Sequence, residues 1–209
     1  MVSLYNRLAG GSLERLTALS DGLFSIAMTL LVLDIRVPEL AAVHSEADLL
    51  RGLGALGPRF LIYLMSFLTL GIFWVGQQTQ LNHVARSDRD LAWIQIAFLA
   101  SVAVMPFSTT LLAQFIGYRT ALLAYWLNIL LLGLALYLSW RHVLRAGLLR
   151  EDTPQELSHA VFGRILRAQA LYACGALLCL VNNYWSIAFI VLVQLNYAIA
   201  PRWRPLSKL

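Results

Sequence analysis

The chain has 209 residues, 59% hydrophobic and 13% charged, with a mean hydropathy of +0.69. Soluble domains carry about 25% charged residues, so these figures exclude an ordinary soluble domain and point to an integral, all-α membrane protein. The net charge of +5 does not mark a nucleic-acid partner, because the basic residues sort by side of the membrane.

Apolar runs fall at about 16–35, 60–81, 91–116, 120–140, 168–181 and 185–200. Each approaches the roughly 20 residues that cross a bilayer, the last two being short. Six spans put both termini on one side. With the N-terminus inside, twelve of the sixteen basic residues fall on inner segments. Only Arg36, Arg51, Arg59 and Arg119 fall outside. Inner loops collect Lys and Arg, so both termini are expected in the cytoplasm and the chain in the cell's inner (plasma) membrane. No short apolar run ends in small residues near the start, so no cleavable signal is expected. Without repeats or low-complexity stretches, residues 1–209 read as one membrane domain.

The first span carries an acid. Asp21 lies within Arg15–Asp34, and an acid at membrane depth costs roughly 2.5–3.5 kcal/mol unless it is paired or lines water. On a helix at about 100° per residue, Ile26, Leu30 and Leu33 share one stripe, with Thr29 at its margin and Gly22 on it. Asp21 falls about 140° from Ile26, on the side of Phe24 and Met28. The helix therefore has an apolar front and a back on which Asp21 needs partners. Gln77 and Gln78 in the second span and Gln95 in the third lie at the same depth. They are candidates to satisfy Asp21 or Ser20, or simply to bond between helices.

Residues 36–59 form the longest outer loop, with Pro38, Gly52, Gly54, Gly57 and Pro58 as breakers. Pro106 sits where the third span should kink. The longest inner loop, 141–163, contains a helix start at Thr153–Glu156. Asn182–Trp185 reads as a tight turn, and Trp140 and Trp203 as interfacial anchors. Cys174 and Cys179 read as thiols within an apolar segment. His44, His83, His142 and His159 are scattered, all read as loop residues, and suggest no metal site. There is no Gly-rich phosphate loop, no His-Glu-x-x-His and no Gly-x-Ser-x-Gly. Enzymatic chemistry, a carbonyl-type ion filter and an arginine-spaced voltage sensor have no carriers.

The run Arg15-x-x-x-Leu19-Ser20-Asp21-Gly22, continued by Ile26-Ala-Met-Thr29-Leu-Leu-Val-Leu-Asp34, resembles the first-helix signature of the transmembrane protein 175 family of potassium channels, particularly its bacterial members. Ser66-Phe67, Gly71-Ile-Phe-Trp74 and Pro106-Phe107 resemble its second and third helices. The resemblance implies a homotetramer of six-helix subunits, with the first helices lining a central pore. By position, it implies a constriction at Ile26, then Leu30 and Leu33, with Thr29 aiding potassium preference. Arg15, Ser20, Asp21, Trp74, Gln77 and Gln95 would form a structural network. Asp34 would lie at the outer mouth, as a cation-concentrating acid or as a partner of Arg36. Potassium is the implied permeant ion; the other partners are further copies of the chain and lipid, with no cofactor and no nucleic acid. Leu19 departs from the signature phenylalanine, Gln77 and Gln78 stand where histidine is usual, and Gln95 where asparagine is common. Two other readings stay open: a secondary transporter using Asp21 as a proton or ion site, and a non-conducting scaffold that buries the stripe.

Overall fold

A computed structural model describes residues 12–33, 35–39 and 43–199. Within them lie seven α-helices: α1 (Leu13–Val32), α2 (Glu46–Ala55), α3 (Gly57–Leu81), α4 (Arg89–Gln114), α5 (Arg119–Arg145), α6 (Gln155–Leu177) and α7 (Asn183–Ile199). A 3₁₀ turn, Leu178–Leu180, follows α6.

Helix starts follow local chemistry. Ser12, Ser45 and Asp88 each turn a side-chain oxygen onto a backbone N–H three residues on, opening α1, α2 and α4. Pro58 occupies the first turn of α3, where a missing N–H costs nothing. α4 stays helical through Pro106, and that region is polar inside: Ser108 and Thr109 hydroxyls both donate to the Met105 carbonyl.

Among the described residues, five helices are long and apolar enough to cross a membrane: α1, α3, α4, α5 and the stretch Glu156–Leu180. Six spans were expected. The sixth candidate, α7, is a shorter apolar helix of 17 residues, which at 1.5 Å per residue extends about 25 Å against a hydrocarbon core of about 30 Å. The fifth span also begins earlier than hydropathy suggested. α6 runs continuously from Gln155, so the helix start read at Thr153–Glu156 belongs to the span itself, with Arg164 and Arg167 inside it.

The outer loop contains α2, which its glycines concealed. Gly52 is needed there for closeness: a Cβ would lie 2.9 Å from the Pro38 ring. Trp140, expected as an interfacial anchor, is instead fully buried in a small apolar core with Val84, Leu91, Val143 and Leu148. The loop after α5 folds back to make that core. Ala85 N–H donates to the Leu148 carbonyl at 2.8 Å, and Arg150 N–H to the His83 carbonyl at 3.0 Å. Trp203 lies outside the described residues.

The main core runs through the bundle, from Phe24 and Leu31 on α1 to Ile190 on α7. α4 and α5 make the most extensive helix contact; α1 packs on α4 and α3 from one side, and α6 and α7 close the other.

Candidate functional site

One face of α1 is committed to the bundle. Leu16, Ser20, Phe24, Ala27 and Leu31 are buried, at the three- and four-residue spacing of a single helix face. Phe24 meets Phe98 of α4 with ring centroids 5.9 Å apart. The opposite face is left exposed among the described residues. Ile26 is 55% exposed, Leu30 45% and Leu33 71%, and Leu19, Gly22, Ser25 and Thr29 are exposed beside them. The Thr29 hydroxyl is turned back onto its own helix, donating to the Ser25 and Ile26 carbonyls.

Two polar clusters fix α1 in rotation. In the first, Ser20 Oγ donates to Gln77 Oε1 at 2.5 Å, Gln77 Nε2 to Gln95 Oε1 at 2.7 Å, and Gln95 Nε2 to Ser139 Oγ at 2.8 Å. This chain crosses α1, α3, α4 and α5, and all four residues are buried. Each amide uses one oxygen and one N–H, so donors and acceptors alternate along the line. In apolar surroundings an unmade bond in it costs about 1–3 kcal/mol, so the four helices are held in one register.

In the second cluster, Asp21 Oδ1 accepts from Trp74 Nε1 and Gln78 Nε2, both at 2.8 Å. Asp21 is exposed, at the edge of the packed face rather than behind it. Its acid is satisfied by α3, through Gln78 beside the Gln77 that holds Ser20 and through Trp74 about one turn before it. Ser20, Gln77 and Gln95 are thus brought together, and Asp21, Trp74 and Gln78 separately. Arg15 joins neither cluster among the described residues. It lies exposed in the first turn, with its backbone N–H on Ser12 Oγ at 3.2 Å. Asp34 lies outside the described residues.

Sequence reasoning missed Ser139, a small hydroxyl in a long apolar run, whose only signal was its depth opposite Gln95. It also missed a second buried network. Thr109 Oγ1 and Ser66 Oγ are hydrogen-bonded at 2.8 Å, and Gln194 Nε2 donates to Thr69 Oγ1 at 2.6 Å. Tyr125 Oη joins both, 3.3 Å from Ser66 and 3.1 Å from Thr69. His142 and His159, read as loop residues, lie in α5 and α6. His142 Nε2 is 2.9 Å from the carboxylate of Asp88, which tethers the end of α5 to the start of α4. Among the described residues, no three His, Cys, Asp or Glu side chains gather as a metal site.

A family model described as "Endosomal/lysosomal potassium channel TMEM175" matches residues 15–106. A Streptomyces collinus protein named as a potassium channel is 37% identical over 147 residues, 67% of this chain and 70% of that one. The mouse protein named "Endosomal/lysosomal proton channel TMEM175" is 38% identical over 100 residues, 46% of this chain but 20% of its own length. The crystal structure of a lysosomal potassium-selective channel TMEM175 homolog from Chamaesiphon minutus superposes with a TM-score of 0.79 at 27% identity, covering 90% of this chain and 96% of that one. The Ser20–Asp21 signature, the helical fold and these relatives together show that the chain belongs to the TMEM175 family.

Proposed function

We propose that the protein is a passive, weakly selective potassium channel: a homotetramer of six-span subunits in the cell's inner membrane, both termini cytoplasmic, with α1 of each copy facing a common axis. The observation that carries this reading is the uncovered stripe on α1. Ile26, Leu30 and Leu33 stand out from the subunit, while buried Ser20 and edge-held Asp21 fix the helix from behind. Four such stripes around an axis make successive rings of branched side chains. A ring of this kind stops conduction by shedding water, and a small widening or rotation readmits it. In this account Ile26 forms the narrowest ring, Leu30 and Leu33 extend it, and Thr29 supplies hydroxyls at its margin for potassium preference. Selection is weak because no fixed ligands replace the ion's hydration shell. The Asp21 cluster acts structurally. The reading draws further support from the Streptomyces collinus relative, named as a potassium channel.

The test is ion flux in liposomes holding the purified protein. A channel gives fast potassium flux that follows the membrane potential and exceeds sodium flux. Slower flux coupled to protons and abolished by Asp21→Asn would replace it with a transporter. Absence of any flux would leave a scaffold. Proton flux is measured in parallel, since the mouse relative is named as a proton channel.

A further inference from the structure

A cavity of about 80 Å³ lies between α3, α5, α6 and α7. None of its lining residues comes from α1 or α4, so it is separate from the exposed stripe. Its walls are mostly apolar, but Gln80, Gln169, Tyr172 and Arg164 also line it. Gln80 and Tyr172 are only 3% and 1% exposed. Among the described residues, Gln80 Oε1 and Gln169 Oε1 have no hydrogen-bond partner. Buried polar groups are rarely left so, and each one calls for an explanation. Gln169 Nε2 reaches only the Ile129 carbonyl, at 3.4 Å. A glutamine amide exchanges the places of its oxygen and nitrogen by turning its last torsion, with no backbone movement. The amide oxygens are themselves fully covered as they stand, and such a turn would exchange which end of each amide faces the cavity. Arg164 is exposed and stands at the mouth, its guanidinium carbon 5.6 Å from the centre of the Tyr197 ring.

A water takes about 10–15 Å³ of such space, so the cavity has room for about six water-sized groups. That is the heavy-atom count of a glycerol unit. A cation at the mouth, neutral amides and a phenol within, and long apolar helices on each side select for an anionic phosphate that carries hydroxyls and is tethered to acyl chains. Basic pockets between spanning helices hold lipid head groups in this way.

We propose that this cavity takes the terminal glycerol of an anionic phospholipid from the surrounding bilayer, with the lipid phosphate against Arg164 and the glycerol hydroxyls on the Gln80 and Gln169 amides. Phosphatidylglycerol has this chemistry. The site does not depend on α1 conducting ions, and its test reads lipid binding alone.

The experiment is native mass spectrometry of the purified, detergent-solubilised protein with phosphatidylglycerol, phosphatidylcholine or phosphatidic acid. Phosphatidylglycerol is expected to bind about fivefold tighter than phosphatidylcholine, the gain of one well-placed cation. It should also bind tighter than phosphatidic acid, which has the phosphate without the terminal glycerol. Arg164→Gln, at an exposed position that leaves the fold intact, should abolish the preference for the anionic lipid, and Arg164→Lys should restore it. Gly76→Ala adds a methyl group to the wall in ordinary contact with Leu136, at 3.6 Å, and should weaken phosphatidylglycerol while sparing phosphatidic acid. Equal binding of phosphatidylglycerol and phosphatidylcholine overturns the proposal, as does a preference that survives Arg164→Gln. Phosphatidic acid binding as tightly as phosphatidylglycerol overturns the glycerol assignment. Competition by soluble glycerol 3-phosphate at equal concentration overturns the lipid source.

Discussion

Ile26 and Ala27 are consecutive residues, yet Ile26 is 55% exposed and Ala27 is 2% exposed. One helical step of about 100° separates them, and that step divides α1 into a face buried in its own subunit and a face left exposed among the described residues. An isoleucine at membrane depth that is more than half exposed in its subunit faces either lipid or further copies of the chain. In the channel account it faces copies, and water passes between them.

Ile26→Asn is expected to raise basal leak and to lower the ratio of potassium to sodium flux. A polar ring holds water where an apolar one expels it, and lowering the barrier by about 1.4 kcal/mol raises the rate about tenfold. Flux from liposomes loaded with either cation measures both effects. Unaltered flux and selectivity would remove Ile26 from the gate.

Asp21→Ala deprives Trp74 and Gln78 of their shared acceptor. Hydrogen bonds to a charged group contribute roughly 1.5–3 kcal/mol each when shielded; exposure reduces this, and a total loss of about 1–2 kcal/mol is expected. The yield of assembled protein on size-exclusion chromatography should fall. Asp21→Asn keeps an acceptor oxygen in place and should preserve assembly and flux. Intact assembly with changed permeation in Asp21→Ala would contradict a structural role.

Gln95→Leu leaves Gln77 without its acceptor and Ser139 without its donor, both buried. A loss of about 2–3 kcal/mol is expected, seen as a lower midpoint of thermal unfolding in detergent. Ser139→Ala breaks one bond of the chain and should cost less. A larger loss from Ser139→Ala would mean that the four residues do not act as one line.

Gly133→Ala would put a Cβ 1.8 Å from Gln169 Nε2. Gln169 must move, giving up its contact with the Ile129 carbonyl, and overpacking of this kind costs roughly 1–3 kcal/mol. Adding Gln169→Ala to Gly133→Ala should recover most of the lost thermal midpoint. A double variant no better than the single would place the clash elsewhere.

The stripe on α1 was legible in sequence because the 3.6-residue period acts on one helix and needs no partner. Partners for Ser20 and Asp21 were legible as types, since glutamines at matching depth are the cheapest donors near an acid. Which glutamine meets which residue depended on helix rotation, and Ser139 is indistinguishable from any small residue in an apolar run. α2 was hidden because Gly52 and Gly54 read as breakers, although Gly52 is there to let Pro38 approach. Trp140 was misplaced because its burial comes from the loop just after α5, at Leu148, folding back onto the distant turn at Val84, a contact that carries no periodicity. The early start of α6 was obscured because Arg164 and Arg167 depress hydropathy within a continuous helix.

The most direct test labels the stripe from the water side. In a background carrying Cys174→Ser and Cys179→Ala, potassium flux is measured for Ile26→Cys, Leu30→Cys and the exposed control Leu64→Cys before and after a charged, membrane-impermeant thiol reagent. The account predicts block at positions 26 and 30 and none at position 64. Flux indifferent to the charged reagent at both stripe positions, with labelling there only by a lipid-soluble thiol reagent, would contradict it and turn this face of α1 outward to the bilayer.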